Sequence, residues 1–208
     1  MTEVGIIDYG SGNFQSVYNA VKFLGSEILI VRNASDLQKV RKIILPGVSA
    51  FGTSMKKLHE MGLIDSLINQ INHENKLYLG ICVGMQILMT KGYEFGEFDG
   101  LNLFSGTTVK FDFSNKSPQR LPHMGWNRII NYQNSKLFTG IDIEEPSFYF
   151  AHSYHIVTEA QYVNSQALYG YPFIASIERE NIFGVQFHPE KSHQNGLMLL
   201  NNFVNLNA

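Results

Sequence analysis

Three short stretches carry residues able to do acyl-transfer chemistry: "GICVGMQ" around Cys82, "GVQFHPEKS" around His188 and Glu190, and "ILPGVSAFG" around Gly47 and Val48. In the first, a strand pattern runs into Cys82 and a helix pattern leaves from it, with Gly80 and Gly84 two residues to either side. This is the pattern of a nucleophile elbow, in which small neighbours tolerate a tight, strained turn and a close approach of strand and helix. The thiol is pushed out at the carboxyl end of the sheet, where a helix N-terminus and a protonated imidazole favour its thiolate form. A buried cysteine is ordinarily an inert small hydrophobe, so the elbow alone leaves both roles open.

The second stretch supplies a base and an acid. A period-two strand with Val185 and Phe187 on one face delivers His188 at its end, and Pro189 biases His188 toward an extended backbone. Residues two apart in an extended chain face the same way, so the Glu190 carboxylate can reach the His188 ring, hold its tautomer and stabilise the imidazolium. A lone His-Pro-Glu is more often a strand end capped by a turn; the elbow cysteine is what turns the balance toward a Cys82-His188-Glu190 triad. The third stretch offers the backbone N–H groups of Gly47 and Val48 to a developing oxyanion, with Val83, next to the nucleophile, as a further donor. Losing one such donor typically costs about 10² to 10³ in rate. Pro-Gly after a strand is otherwise a plain turn, and its place one β-α unit before Cys82 is what gives it interest.

The elements that must position these residues follow from periodicity. "EVGIIDYGSGN" reads as a buried strand ending in a glycine-rich loop, followed by a helix with Phe14, Val17, Ala20/Val21 and Leu24 on one face and Gly25 as its stop. "EILIV" is a second strand, "NASDLQKV" a helix starting at Ser35 or Asp36, and "KIILPG" a third strand broken at Pro46-Gly47. A helical stretch from about Phe51 to Asn72, weak near Gly62, precedes a fourth strand, "KLYLGI", and its helix, "VGMQILMTKG". This alternation predicts an α/β fold, a mostly parallel central sheet flanked by helices. From Leu103 onward, "TTVKFDF", "WNRIINY", "SFYFAHSYHIV", "FIASIER" and "IFGVQF" predict an antiparallel β extension packed on or joined to that core. "SNKSPQR" reads as a mobile loop, and a last helix is expected from about Gly196 to Leu206.

Bulk properties exclude several classes. A chain of 208 residues suits one domain spanning 1–208, with a core that needs neither disulfides nor metals. The 16 basic and 18 acidic residues give a net charge of -2, without the basic stripe that grips nucleic acid. The single cysteine cannot form an internal disulfide, and the chain opens directly on a strand pattern, so a cytoplasmic location is expected. The apolar run Leu77 to Met89 is too short to span a bilayer. "GSGN" fails both phosphate-loop patterns. His152 and His155, three apart in a strand-like segment, are expected on opposite faces with no third ligand, so no metal and no cofactor is expected. His152 is expected to pack or hydrogen-bond near the site.

Together these residues resemble the class I glutamine amidotransferases, with Cys82, His188 and Glu190 at the positions of their catalytic triad. The ordered set "DYGSGN", "LPGV", "GICVGMQ", "LPHMGWN", "AHSY" and "QFHPEKS" is similar, more narrowly, to the glutaminase subunits of imidazole glycerol phosphate synthase, over essentially the whole chain. The resemblance implies a flavodoxin-like fold and hydrolysis of glutamine through a glutamyl thioester. It also implies that Gln86, Glu94, Ser153 and Tyr154 hold the glutamine. The implied partner is a (β/α)8-barrel cyclase, joined as a heterodimer. It receives ammonia through a tunnel and makes imidazole glycerol phosphate and an aminoimidazole carboxamide ribotide in histidine biosynthesis. Asn13, His123, Trp126, Tyr149 and Lys191 match positions facing that partner or the communication path to it. One departure is Ser49, where the family loop reads Pro-Gly-Val-Gly; a Cβ there narrows the backbone angles open to a peptide flip. "KGYEFGEFDGL" also resembles a branch serving surface-sugar biosynthesis, in which only the acceptor differs. A γ-glutamyl thiol hydrolase shares the elbow and histidine, although "HMGWN" and "EKS" argue against it.

Overall fold

The computed structural model describes residues 2–114, 119–130, 135–141 and 146–207. Four residues of the "SNKSPQR" loop, 115–118, therefore lie outside the described residues, as do the last two of "WNRIINY", 131 and 132, with 133 and 134 after them.

The first half alternates as its periodicity requires. Strand β1 (Thr2–Ile7) feeds α1 (Phe14–Phe23), whose buried stripe is Val17 and Val21, and Gly25 ends it at φ +81°. Strand β2 (Ile28–Val31) leads to α2 (Ala34–Gln38). That helix begins one residue before the expected Ser35, because the Asn33 side chain accepts the Asp36 N–H and caps it. Strand β3 (Val40–Gly47) runs on through Pro46 and Gly47 instead of breaking there, since both pair with the neighbouring strand. The long helix expected next divides at Gly62, φ +63°, into α3 (Phe51–Glu60) and α4 (Ile64–Asn72).

Strand β4 (Leu77–Cys82) ends at Cys82. The helix expected after it is a single turn, α5 (Val83–Gln86). The rest of "VGMQILMTKG" instead becomes strand β5 (Met89–Gly92), which pairs with β6 (Phe98–Asp99) and β7 (Phe104–Lys110). Ladder partners in the next two strands overrode a helical propensity that was sufficient only locally.

The second half is β-rich: β8 (His123–Ile130), β9 (Ser147–His152), β10 (Tyr154–Thr158), β11 (Val163–Tyr169), β12 (Tyr171–Arg179) and β13 (Ile182–Val185), closed by α6 (His193–Asn205). The single run "SFYFAHSYHIV" is two strands in two sheets, with Ser153 as the crossing point. Strand β11 had no clear sequence signal.

The larger sheet has the order β2-β1-β3-β4-β13-β12-β11-β8-β9, and the smaller β10-β7-β5-β6. The five strands from β2 to β13 are parallel, and β12, β11, β8 and β9 continue the same sheet antiparallel. The antiparallel extension is thus joined to the parallel core. One core, including Val17, Leu199 and Phe203, lies under α1 and α6; a second, including Leu37, Phe51, Leu67 and Phe104, lies under the other helices and the small sheet. No helix among the described residues is long and apolar enough to cross a membrane.

Candidate active site

The adjacent carboxyl ends of β3, β4 and β13 place the three stretches side by side, with Gly47 opposite Cys82 in the ladder. Cys82 takes φ 54° and ψ -108°, a conformation that costs a non-glycine residue about 1–3 kcal/mol and persists only where its surroundings enforce it. Those surroundings are backbone. A Cβ on Gly80 would lie 2.3 Å from the Gly84 carbonyl oxygen, and one on Gly84 would lie 1.9 Å from that of Leu45. The buried Tyr78 hydroxyl donates to the Gly84 carbonyl at 2.8 Å and ties down the turn. Because α5 is one turn long, it gives the sulfur little help from an extended helix dipole.

His188 is fully buried, and its Nδ1 lies 2.8 Å from Glu190 Oε1. The contact expected of an extended chain is made differently: His188 is extended, but Pro189–Lys191 form a 3-10 turn that swings the carboxylate back under the ring. Burial opposes charge on His188, and the negative charge of Cys82, followed by Glu190, outweighs it and lifts the imidazolium up to about 10. The other ring nitrogen, Nε2, makes no hydrogen bond among the described residues, which leaves it available for proton transfer. Glu190 Oε1 also accepts from Asn13 Nδ2 at 3.1 Å.

A cavity of about 170 Å³ opens beside the sulfur, lined by Val48, Ser49, Cys82, Gln86, Glu94 and Tyr154 among others. Gln86 Nε2 donates to the Tyr154 carbonyl at 2.9 Å. Glu94 Oε2 accepts the Phe51 N–H at 2.8 Å at the start of α3, and burial raises its carboxyl above the ordinary range against that hydrogen bond. Ser153 and Tyr154 line the same cavity from the crossing between β9 and β10. The Val48 N–H is engaged, donating to Ser11 Oγ at 3.1 Å, while Ser11 Oγ in turn meets Asn13 Oδ1 at 3.2 Å. Ser49 Oγ pairs with Ser54 Oγ at 2.8 Å, and Ser49 has no positive φ.

The chain belongs to the class I glutamine amidotransferases. The family model "Glutamine amidotransferase class-I" matches residues 5–206. Among curated relatives, the imidazole glycerol phosphate synthase subunit HisH 1 of Campylobacter jejuni (strain RM1221) is 42% identical over 203 residues, covering 98% of this chain and 100% of the relative. The HisH subunit of Desulfitobacterium hafniense (strain DSM 10664 / DCB-2) is 45% identical over 201 residues, covering 96% and 92%. Among solved structures, a chain of PurLQS from Thermotoga maritima matches with a TM-score of 0.75 at 20% identity, covering 99% of each chain, a likeness of fold.

The residues matched to the partner side of this amidotransferase divide in two. Trp126 is 48% exposed, with its ring stacked on His193 at 4.9 Å, and Lys191 lies over the Tyr149 ring at 5.8 Å. Asn13 and His123 are buried, and their contacts run inward, Asn13 to Glu190 and His123 Nδ1 to His152 Nε2 at 3.1 Å. His152 and His155, expected on opposite faces, both pack against Phe111, because the strand breaks between them at Ser153. Periodicity missed Gln186, Ser11 and His193. Gln186 carried a signal, since it stands two residues before His188 on a period-two strand and so shares its face. Ser11 and His193 carried none.

Proposed function

We propose that this chain hydrolyses glutamine to glutamate and ammonia as the glutaminase subunit of an imidazole glycerol phosphate synthase. The observation that carries the mechanism is His188, fully buried between the Glu190 carboxylate and the strained Cys82. The Cys82 thiolate attacks the side-chain amide carbon, and the carbonyl electrons move onto oxygen. N–H groups of Gly47, Val48 and Val83 are the donors for that oxyanion. His188, held as imidazolium, protonates the departing nitrogen through Nε2, and ammonia leaves a glutamyl thioester on Cys82. The neutral imidazole then takes a proton from water, which attacks the thioester and releases glutamate. Gln86, Glu94, Ser153 and Tyr154 line the cavity that takes the substrate. The Gln86 side-chain Oε1 is open to accept an N–H, and the Glu94 carboxylate can meet an ammonium.

The ammonia serves a cyclase partner of (β/α)8-barrel form, reached through a tunnel, and the cyclase makes imidazole glycerol phosphate and aminoimidazole carboxamide ribotide for histidine biosynthesis in the cytoplasm. The face formed by the exposed rings of Trp126 and His193 and the half-buried ring of Tyr149, with Lys191 beside it, suits a docking surface, since aromatic and cationic side chains dominate interface energetics. Because the Val48 N–H is already taken by Ser11, the free chain turns over slowly and the partner accelerates it. Ammonia release from glutamine, measured with and without a purified, ligand-loaded cyclase, tests this. Strong partner-dependent stimulation is expected; rapid turnover without a partner, or cleavage of γ-glutamyl peptides in preference to glutamine, would overturn it.

A further inference from the structure

We propose that Gln186 is a fourth catalytic residue, whose side-chain amide donates an N–H to the Cys82 sulfur and couples the nucleophile to the glutamine pocket through Gln86. Gln186 is fully buried, and its Nε2 lies 3.5 Å from Cys82 Sγ. A side-chain amide presents an N–H face and an oxygen face that look alike in outline, so its direction must come from its partners. Here a backbone carbonyl settles it. The Tyr154 oxygen can only accept, so the Gln86 NH2 must face it, at 2.9 Å. The same NH2 lies 3.1 Å from the Gln186 side chain, which must therefore present its oxygen there and its own NH2 to the sulfur.

The Tyr154 carbonyl is itself held. His152 Nδ1 meets it at 2.8 Å as a donor, and His152 Nε2 then accepts from His123 Nδ1. Burial lowers both rings well below the ordinary imidazole range, to about 4 for His123, so both stay neutral and these tautomers persist. A buried NH2 whose acceptor is sulfur makes a stronger hydrogen bond to a thiolate than to a thiol, because charge-assisted hydrogen bonds are roughly twice as strong as neutral ones. Gln186 thus favours the attacking form and fixes the direction of its lone pairs. The Gln86 side-chain oxygen, Oε1, makes no hydrogen bond among the described residues, and Gln86 borders the cavity, so a substrate N–H that binds Oε1 tightens the line Gln86–Gln186–Cys82.

The role in glutamine turnover rests on the glutaminase function above, but the contact with sulfur can be tested without substrate. In the full chain, alkylation of Cys82 by iodoacetamide reads the thiolate directly. For Gln186→Met, which keeps the volume and removes the donor, the alkylation rate at neutral pH is expected to fall on the order of tenfold, with its pH profile displaced upward. Gln186→Glu, which sets a carboxylate against the sulfur, is expected to fall further. The other titratable groups acting on Cys82 are His188 on the extension of β13 and Tyr9 after β1, and neither changes in these variants. A folded Gln186→Met protein, judged by its melting curve, that alkylates like the parent overturns the proposal. If neither variant folds, the unaltered chain decides: the Gln186 side-chain NH2 resonances should move as Cys82 titrates and again on its alkylation, and resonances that stay put overturn it equally. Failure to release ammonia with any partner would remove the glutaminase function and leave these results standing.

Discussion

The elbow at Cys82 and the loop after β3 are neighbours across one ladder, yet they are held by different forces. Around Cys82 the constraint is backbone against backbone, with glycine at 80 and 84 where any Cβ would overlap a carbonyl group. The loop carrying Val48 and Ser49 is held by hydroxyls, Ser11 on the Val48 N–H and Ser54 on Ser49, and Val48 is half exposed. Overlap at the elbow is relieved only by moving whole strands. A single neutral hydrogen bond is exchanged for about 1 kcal/mol. The proposed nucleophile is therefore built in advance, and the proposed oxyanion donor, the Val48 N–H, is the adjustable part.

The largest expected effect is chemical: Cys82→Ala should lower partner-stimulated glutamine turnover by about 10⁴-fold or more, because the covalent route is lost. Activity surviving in that variant would remove Cys82 from the mechanism. Next is Gly84→Ala, whose added carbon meets the Leu45 carbonyl oxygen at 1.9 Å. A loss of about 3 kcal/mol, read as a lower denaturation midpoint, would mark the elbow as rigid, whereas a neutral result would put it in the same class as the loop. A smaller effect of the opposite sign is expected in the loop. Ser11→Ala frees the Val48 N–H, and partner-free glutaminase should rise about threefold to tenfold, the worth of one hydrogen bond; unchanged basal turnover would show that Ser11 is not what restrains the loop.

A separate effect, read on stability and not on turnover, is a pH dependence. The folded value of His188, about 10, lies above its ordinary 6.5, so the stability it contributes is fully present below about pH 6.5 and is lost as the pH rises through about 10. Melting temperatures recorded from neutral pH upward should fall. In Cys82→Ala the fall should be shallower, because the largest influence raising His188 is gone; an identical slope would disconnect the two residues.

The residues of the proposed triad could be picked out from pattern, and the structure brings His188 against Glu190, but part of the supporting structure could not be read in advance. Gly80-x-Cys82-x-Gly84 and His188-Pro189-Glu190 are local motifs whose geometry follows from strand and turn rules over a few residues. The one-turn length of α5 was not legible, because "ILMTKG" is ambiguous until β7 offers a ladder partner. The split of "SFYFAHSYHIV" at Ser153 was hidden for the same reason: both halves are good strand sequence, and only pairing of β9 with β8 and β10 with β7 separates them. That split shapes the cavity beside Cys82, since the crossing brings the Tyr154 carbonyl to Gln86.

By itself, the sequence determined the alternating β-α order, the strained corner at Cys82 and the acid two residues beyond His188, all of which follow from contacts between residues close along the chain. Only the tertiary structure decided what depends on distant segments meeting. Asn13 lies behind Glu190, Ser11 holds the Val48 N–H, and Gln186, oriented by Gln86, aims at the sulfur. The physical reason is directional. A hydrophobic period declares which face is buried, but a hydrogen bond between side chains about a hundred residues apart exists only once the sheet has set their positions and a carbonyl has fixed which end of each amide can donate.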